Sequence, residues 1–154
     1  AWETVGVKPA ILTTAKGIGG GLPMGACLCT EKCGETLTPG THGTTFGGNP
    51  VACASAVEIL NRIDDAFLQS VREKGDYIRE KVSKFQGVKA VRGKGLMIGI
   101  DLTEKQAGAV ATRCCEAGLL ILTAKSALRM LPPLTITYPE IDKGLSVLEK
   151  VLAE

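Results

Sequence analysis

Thr13-Thr14-Ala15-Lys16-Gly17-Ile18-Gly19-Gly20-Gly21 places a lysine at the end of an apolar stretch and at the opening of a glycine-rich turn. Ile11 and Leu12 before it read as a short buried strand. The three consecutive glycines after it permit positive backbone dihedrals and the close approach of another group. A lysine held at such an edge loses its proton readily and condenses with carbonyl groups. Two phosphate-loop readings fail on order. A Walker loop sets its lysine after the glycines, with Ser or Thr following. A dinucleotide fingerprint counted from Gly17 needs a glycine at 22, where Leu22 stands. The remaining alternative is an ordinary surface lysine beside a flexible loop, the usual place for a lysine.

A second segment bears on that choice. Gly40-Thr41-His42-Gly43-Thr44-Thr45-Phe46-Gly47-Gly48-Asn49-Pro50 joins two adjacent hydroxyls, several glycines and the single histidine of the chain. Backbone amides freed by glycine, together with threonine hydroxyls, make a neutral cradle for phosphate oxygens. Asn49-Pro50 then reads as a helix N-cap followed by proline at the first helical position.

Ala15-Lys16-Gly17-Ile18-Gly19-Gly20-Gly21-Leu22-Pro23-Met24-Gly25-Ala26 and His42 to Pro50 together resemble the pyridoxal-phosphate aminotransferases that act on ω-amino groups, class III. Two later motifs, Val91-Arg92-Gly93-Lys94-Gly95-Leu96-Met97-Ile98-Gly99-Ile100 and Leu128-Arg129-Met130-Leu131-Pro132-Pro133-Leu134-Thr135-Ile136-Thr137, extend the resemblance over nearly the whole chain in the family's order. One local departure is Ala124-Lys125-Ser126-Ala127, where relatives usually carry a turn containing Gly or Asn; it bears on the shape of the substrate entrance.

The resemblance implies an α/β fold, the C-terminal part of the fold-type-I large domain followed by the small C-terminal domain. It implies pyridoxal 5'-phosphate as cofactor, with Lys16 as both its covalent anchor and the catalytic base and acid. Thr45 would hold the cofactor phosphate of the neighbouring subunit, and Thr44 beside it would lie close to substrate, so the resemblance also implies a homodimer. Arg129 would meet a substrate carboxylate, which a guanidinium grips with two parallel hydrogen bonds; its rival role is a structural ion pair. His42 reads as a loop hydrogen-bonder rather than a catalyst, and Tyr77 and Trp2 as packing residues. The implied reaction moves an ω-amino group to 2-oxoglutarate, with N-acetylornithine as first candidate donor. Ornithine, succinylornithine and 4-aminobutyrate are the alternatives.

Family members are much longer, and their N-terminal portion supplies a phosphate loop, a ring stacked on the cofactor, an aspartate at the pyridine nitrogen and a substrate arginine. The chain, opening Ala-Trp-Glu, is therefore expected to be a fragment, inactive by itself. A reading of another class is a non-catalytic folded piece that acts only through a dimer interface.

Composition fits a globular piece. With 45% hydrophobic and 22% charged residues the chain can bury a core. Eighteen basic against sixteen acidic residues leave +2, with no basic block to suggest nucleic acid. No apolar run approaches the roughly 18 residues of a membrane span. Cys27, Cys29 and Cys33 with His42 could supply four zinc ligands, but the Cys-x-Cys spacing is unusual for such a site. Met24 to Thr30 reads better as a strand with Cys27 and Cys29 on one face as small buried hydrophobes. Reduced thiols suit a cytoplasmic protein without a structural metal.

The expected organisation is residues 1–50 as large-domain strands and cofactor loops, 51–86 as connecting helices, and 87–154 as the small domain. Ala52, Ala56, Ile59, Leu60 and Ile63 recur at helical spacing, as do Leu68, Val71, Ile78, Val82 and Phe85. Strands are expected over 88–92, 96–102, 119–123 and 128–131. A helix over 104–117 should stop at Gly118, and another should begin at Pro139 with Ile141, Leu145, Leu148 and Leu152 inward.

Overall fold

The computed structural model describes residues 2–154. The chain divides into two compact units, the first ending at Asp64 and the second running from Asp65 to Glu154.

In the first unit, strand β1 (Ile11–Ala15) pairs antiparallel with β2 (Gly25–Cys29), from Ile11 opposite Cys29 to Ala15 opposite Gly25. The loop between them opens with a single 3₁₀ turn, Lys16–Gly19. A short helix α1 (Glu31–Gly34) follows β2, and α2 (Pro50–Arg62) closes the unit. Asn49 caps α2 as its sequence predicts: its side-chain oxygen accepts from the N–H groups of Val51 at 3.0 Å and Ala52 at 3.2 Å.

The expected burial of Cys27 and Cys29 is corrected here. Both thiols are exposed, because their strand has one partner and no layer among the described residues covers that face. Among the described residues of this unit, Gly19 and Ala56 are the buried ones. Along α2, Ala56 is buried while Leu60 and Ile63 are exposed, so the apolar spacing there marks a face left open.

The second unit is a four-stranded antiparallel sheet with helices packed against it. Helix α3 (Asp65–Val82) leads into β3 (Val88–Lys94) and β4 (Met97–Leu102). Then come α4 (Ala107–Glu116), β5 (Leu122–Ala124), β6 (Ala127–Met130) and α5 (Tyr138–Ala153). Strand order is β3-β4-β6-β5. Period-two alternation turns Ile98, Ile100 and Leu128 inward, where they meet Ile78 and Val82 of α3, Val110 and Cys114 of α4, and Leu145, Leu148 and Leu152 of α5.

The boundaries follow local chemistry. The β3–β4 turn falls at Gly95-Leu96, later than the Gly-Lys-Gly expected, because β3 continues through Gly93, whose φ of 136° no other residue adopts easily. Any Cβ there would lie 1.9 Å from the Met97 carbonyl oxygen. Helix α4 stops where predicted. Gly118 takes a φ of 88°, Leu119 N–H reaches the Cys114 carbonyl and Gly118 N–H the Cys115 carbonyl, the paired bonds of a Schellman ending. At the head of α5 the Glu140 carboxylate accepts from the Thr137 N–H and hydroxyl, within the capping box that Thr137 and Glu140 form.

Candidate active site

Lys16 has a φ of 60°. A left-handed backbone costs a non-glycine residue roughly 1–2 kcal/mol, so surrounding contacts must hold it. They are visible. Lys16 N–H donates to the Met24 carbonyl at 3.1 Å, extending the β1–β2 ladder by one bond, and Gly20 N–H returns to the Gly17 carbonyl at 3.2 Å. Gly20, left-handed at φ 60°, ends the turn. The lysine side chain is exposed and makes no hydrogen bond or ion pair among the described residues. An amine so placed is free to condense with a carbonyl.

Thr44 and Thr45 lie in the irregular segment before α2, both exposed. Thr44 lies over Gly47: a Cβ at Gly47 would fall 2.2 Å from the Thr44 Cγ2 methyl, so a larger residue there would turn the Thr44 side chain aside. Asn49 N–H closes the loop onto the Phe46 carbonyl at 3.3 Å. Because the Asn49 side chain takes up two amides of the first turn of α2, those amides are spent on the cap. Anion donors here must come from the threonine hydroxyls and the glycine backbone. The lysine loop and the threonine loop flank a common cavity of about 580 Å³, with Leu22 and Pro23 on one side and Phe46, Asn49 and Val51 on the other. His42 is exposed and makes no side-chain hydrogen bond among the described residues, so the loop-bonding role expected for it is not seen.

Arg129 belongs to the second unit. It lies in β6, cross-strand from Gly99 on one side and Leu122 on the other. It makes no ion pair among the described residues, in contrast to Arg92 in the same register row, which pairs with Asp101. Arg129 also borders a largely apolar cavity of about 460 Å³ lined by Leu119, Ile121, Met130, Pro132 and Ile136. A cation at the edge of an apolar wall can receive the carboxylate of an aliphatic ligand. The Lys125-Ser126 turn joins β5 to β6, and Lys125 takes a φ of 55°. A side-chain-bearing residue thus occupies a left-handed position that Gly or Asn fills without strain.

One contributor carried no readable signal. Ser55 lies six residues past the cap with no motif to mark it, yet its hydroxyl donates to the Gly19 carbonyl at 2.9 Å.

Within the first unit, an exposed lysine on a left-handed, glycine-backed turn and a threonine–glycine loop are features suited to carbonyl condensation and to anion binding. The chain matches the class-III aminotransferase family over residues 1–152 and belongs to it. Acetylornithine aminotransferase from Haemophilus ducreyi is 45% identical over 155 residues, covering 100% of this chain and 39% of that protein. The acetylornithine aminotransferase of Lactococcus lactis is 46% identical, over 99% of this chain and 42% of its own length. Among solved structures, acetylornithine aminotransferase from Elizabethkingia anophelis superposes with a TM-score of 0.87 at 31% identity, over 99% of this chain and 41% of its own. Ornithine aminotransferase from Toxoplasma gondii, described with partial occupancy of PLP at its active site, gives 0.88 at 30%, over 99% and 38%. The α/β aminotransferase fold expected from the sequence is therefore observed, and the chain spans about two fifths of these relatives' length.

Proposed function

We propose that this chain is the lysine-bearing part of an aminotransferase that moves the ω-amino group of N-acetylornithine to 2-oxoglutarate, a step of arginine synthesis. The observation that carries the reading is Lys16, an unengaged amine on a left-handed backbone at the mouth of a glycine turn. The residues present suit pyridoxal 5'-phosphate: an exposed amine for its aldehyde, and for its phosphate two threonine hydroxyls among glycines without competing carboxylates in that segment. When bound, the cofactor supplies the electron sink. Lys16 would hold it through the side-chain amine, and that amine, when not so engaged, would take a proton from the substrate carbon that bears the amino group and later return one. Thr45 binds phosphate in the neighbouring subunit of a homodimer, and Thr44 lies beside the substrate there. Arg129 orients a substrate carboxylate, its free guanidinium at the rim of an apolar cavity supporting that role.

The names of the curated relatives favour N-acetylornithine as donor, while the ornithine aminotransferase structures keep ornithine as the second reading. Succinylornithine and 4-aminobutyrate share the ω-amine and the carboxylate. Six free thiols suit a cytoplasmic setting, and no described helix is long and apolar enough to cross a membrane.

The 154-residue chain by itself is expected to turn over little or nothing, because its first unit buries so little and leaves large apolar side chains such as Phe46, Leu37 and Val51 exposed. A mass-verified sample that forms glutamate steadily from N-acetylornithine and 2-oxoglutarate would overturn that expectation. Adding pyridoxal 5'-phosphate tests the lysine: the cofactor's visible spectrum should shift with the chain and not with Lys16→Ala.

A further inference from the structure

The lysine turn leans on helix α2. Gly20 presses against that helix so closely that a Cβ on it would lie 2.7 Å from Ser55 Oγ and 3.0 Å from Ile59 Cγ1. Ser55 Oγ–H donates to the carbonyl of Gly19, the neighbouring residue, at 2.9 Å. That carbonyl also accepts from Leu22 N–H at 3.0 Å, so it is satisfied whether or not Ser55 is present. Ser55 is therefore not needed to pair a buried polar group. What its hydroxyl adds is a tie between a loop and a helix.

The other bonds of the turn, Lys16 to Met24 and Gly20 to Gly17, lie within the loop itself and move with it. The contact of Gly20 and Gly19 with Ser55 and Ile59 reaches across 36 residues of chain between Gly19 and Ser55. A lysine side chain is long and flexible, so the position of its amine is no better defined than the backbone that carries it. A misplacement of about 1 Å in a reacting group can cost about a hundredfold in rate.

We propose that Ser55 and Gly20 are positioning residues for Lys16: the serine hydroxyl and the missing side chain of the glycine seat the lysine turn on α2 and hold Lys16 in its left-handed conformation. The inference rests on the reading of Lys16 as the cofactor lysine. It adds a consequence for the threonine loop. Asn49 caps the same helix, so α2 is the common base of both loops of the candidate site.

The test is hydrogen exchange on the 154-residue chain, with Ser55→Ala and Gly20→Ala beside the parent. Amides of residues 16–22 should exchange about fivefold faster in Ser55→Ala, the factor for losing one ordinary hydrogen bond. They should exchange at least tenfold faster in Gly20→Ala, while the amides of α5 stay unchanged in both. In the same samples, the share of Lys16 that carries borohydride-fixed pyridoxal phosphate should fall at least threefold, with the other lysines still unlabelled. A purely structural role would leave that share unmoved. Exchange over 16–22 within twofold of the parent in both variants, or no protection there in the parent, would overturn the proposal. A parent chain that takes no label at Lys16 but shows the predicted exchange changes would sink the cofactor reading and leave the seating of the turn on α2 standing.

Discussion

Gly75 sits buried in the middle of α3, where helix propensity alone argues for alanine. Replacing a mid-helix glycine with alanine gains about 1 kcal/mol when nothing else changes. Here the added Cβ would fall 2.1 Å from the carbonyl oxygen of Gly95 and 2.6 Å from its carbonyl carbon, both backbone atoms of the β3–β4 turn. An ordinary carbon–oxygen approach is about 3.3 Å, so helix and turn must part by roughly 1.2 Å. Overpacking of this kind costs about 1–3 kcal/mol. The separation also stretches the bond from Arg79 to the Gly95 carbonyl, now 3.2 Å, and a hydrogen bond from a charged donor is worth about 1.5–3 kcal/mol. The balance is a loss of roughly 2 kcal/mol or more for Gly75→Ala. Both tyrosines of the chain, Tyr77 and Tyr138, lie in this unit in edge-to-face contact, so urea unfolding followed by tyrosine near-ultraviolet dichroism reads it directly. A variant more stable than the parent by the full propensity gain would refute the close approach of α3 to the hairpin.

Relief of strain at the β5–β6 turn should act the other way: Lys125→Gly is expected to stabilise the second unit by about 1 kcal/mol, read as a raised urea midpoint with unchanged slope. At α5, the Lys81 ammonium and then the Tyr77 hydroxyl hold the Asp142 carboxyl below its usual range, while the Thr137 hydroxyl and then its N–H do the same for Glu140. Carboxyls lowered on folding contribute stability that is complete above their unfolded value near 4 and is lost as pH falls through the folded value. The stability difference between the parent and Asp142→Asn should therefore be open at pH 7 and close on acidification, as urea titrations at several pH values would record. Lys81 is raised, first by Asp142, so its share persists below pH 10.5 and is lost only as pH climbs through its higher folded value.

Much of this architecture was readable because each signal was local. Asn49-Pro50 announced the head of α2, Gly118 the end of α4, and the spacing of Ile141, Leu145, Leu148 and Leu152 the inward face of α5. The alternation that exposes Cys27 and Cys29 was legible too, but not which face would be covered, since that depends on a layer absent from the pair β1–β2. Leu60 and Ile63 misled for the same reason: periodicity reports a face able to bury, and burial requires a partner. Among the candidate site residues, Lys16, Thr44 and Thr45 in the first unit and Arg129 in the second stood out by residue type and order. The left-handed backbone of Lys16 is a feature of the folded loop, and the reach of Ser55 to Gly19 is tertiary packing between segments whose sequences show no mark of it.

The central claim is that Lys16 carries the cofactor, and peptide mapping tests it most directly. The mass-verified chain is mixed with pyridoxal 5'-phosphate, reduced with borohydride, digested and mapped by mass. The account predicts a phosphopyridoxyl group confined to Lys16 and absent from that peptide in Lys16→Ala. Labelling scattered over many lysines, or a Lys16 peptide recovered unmodified, would contradict it.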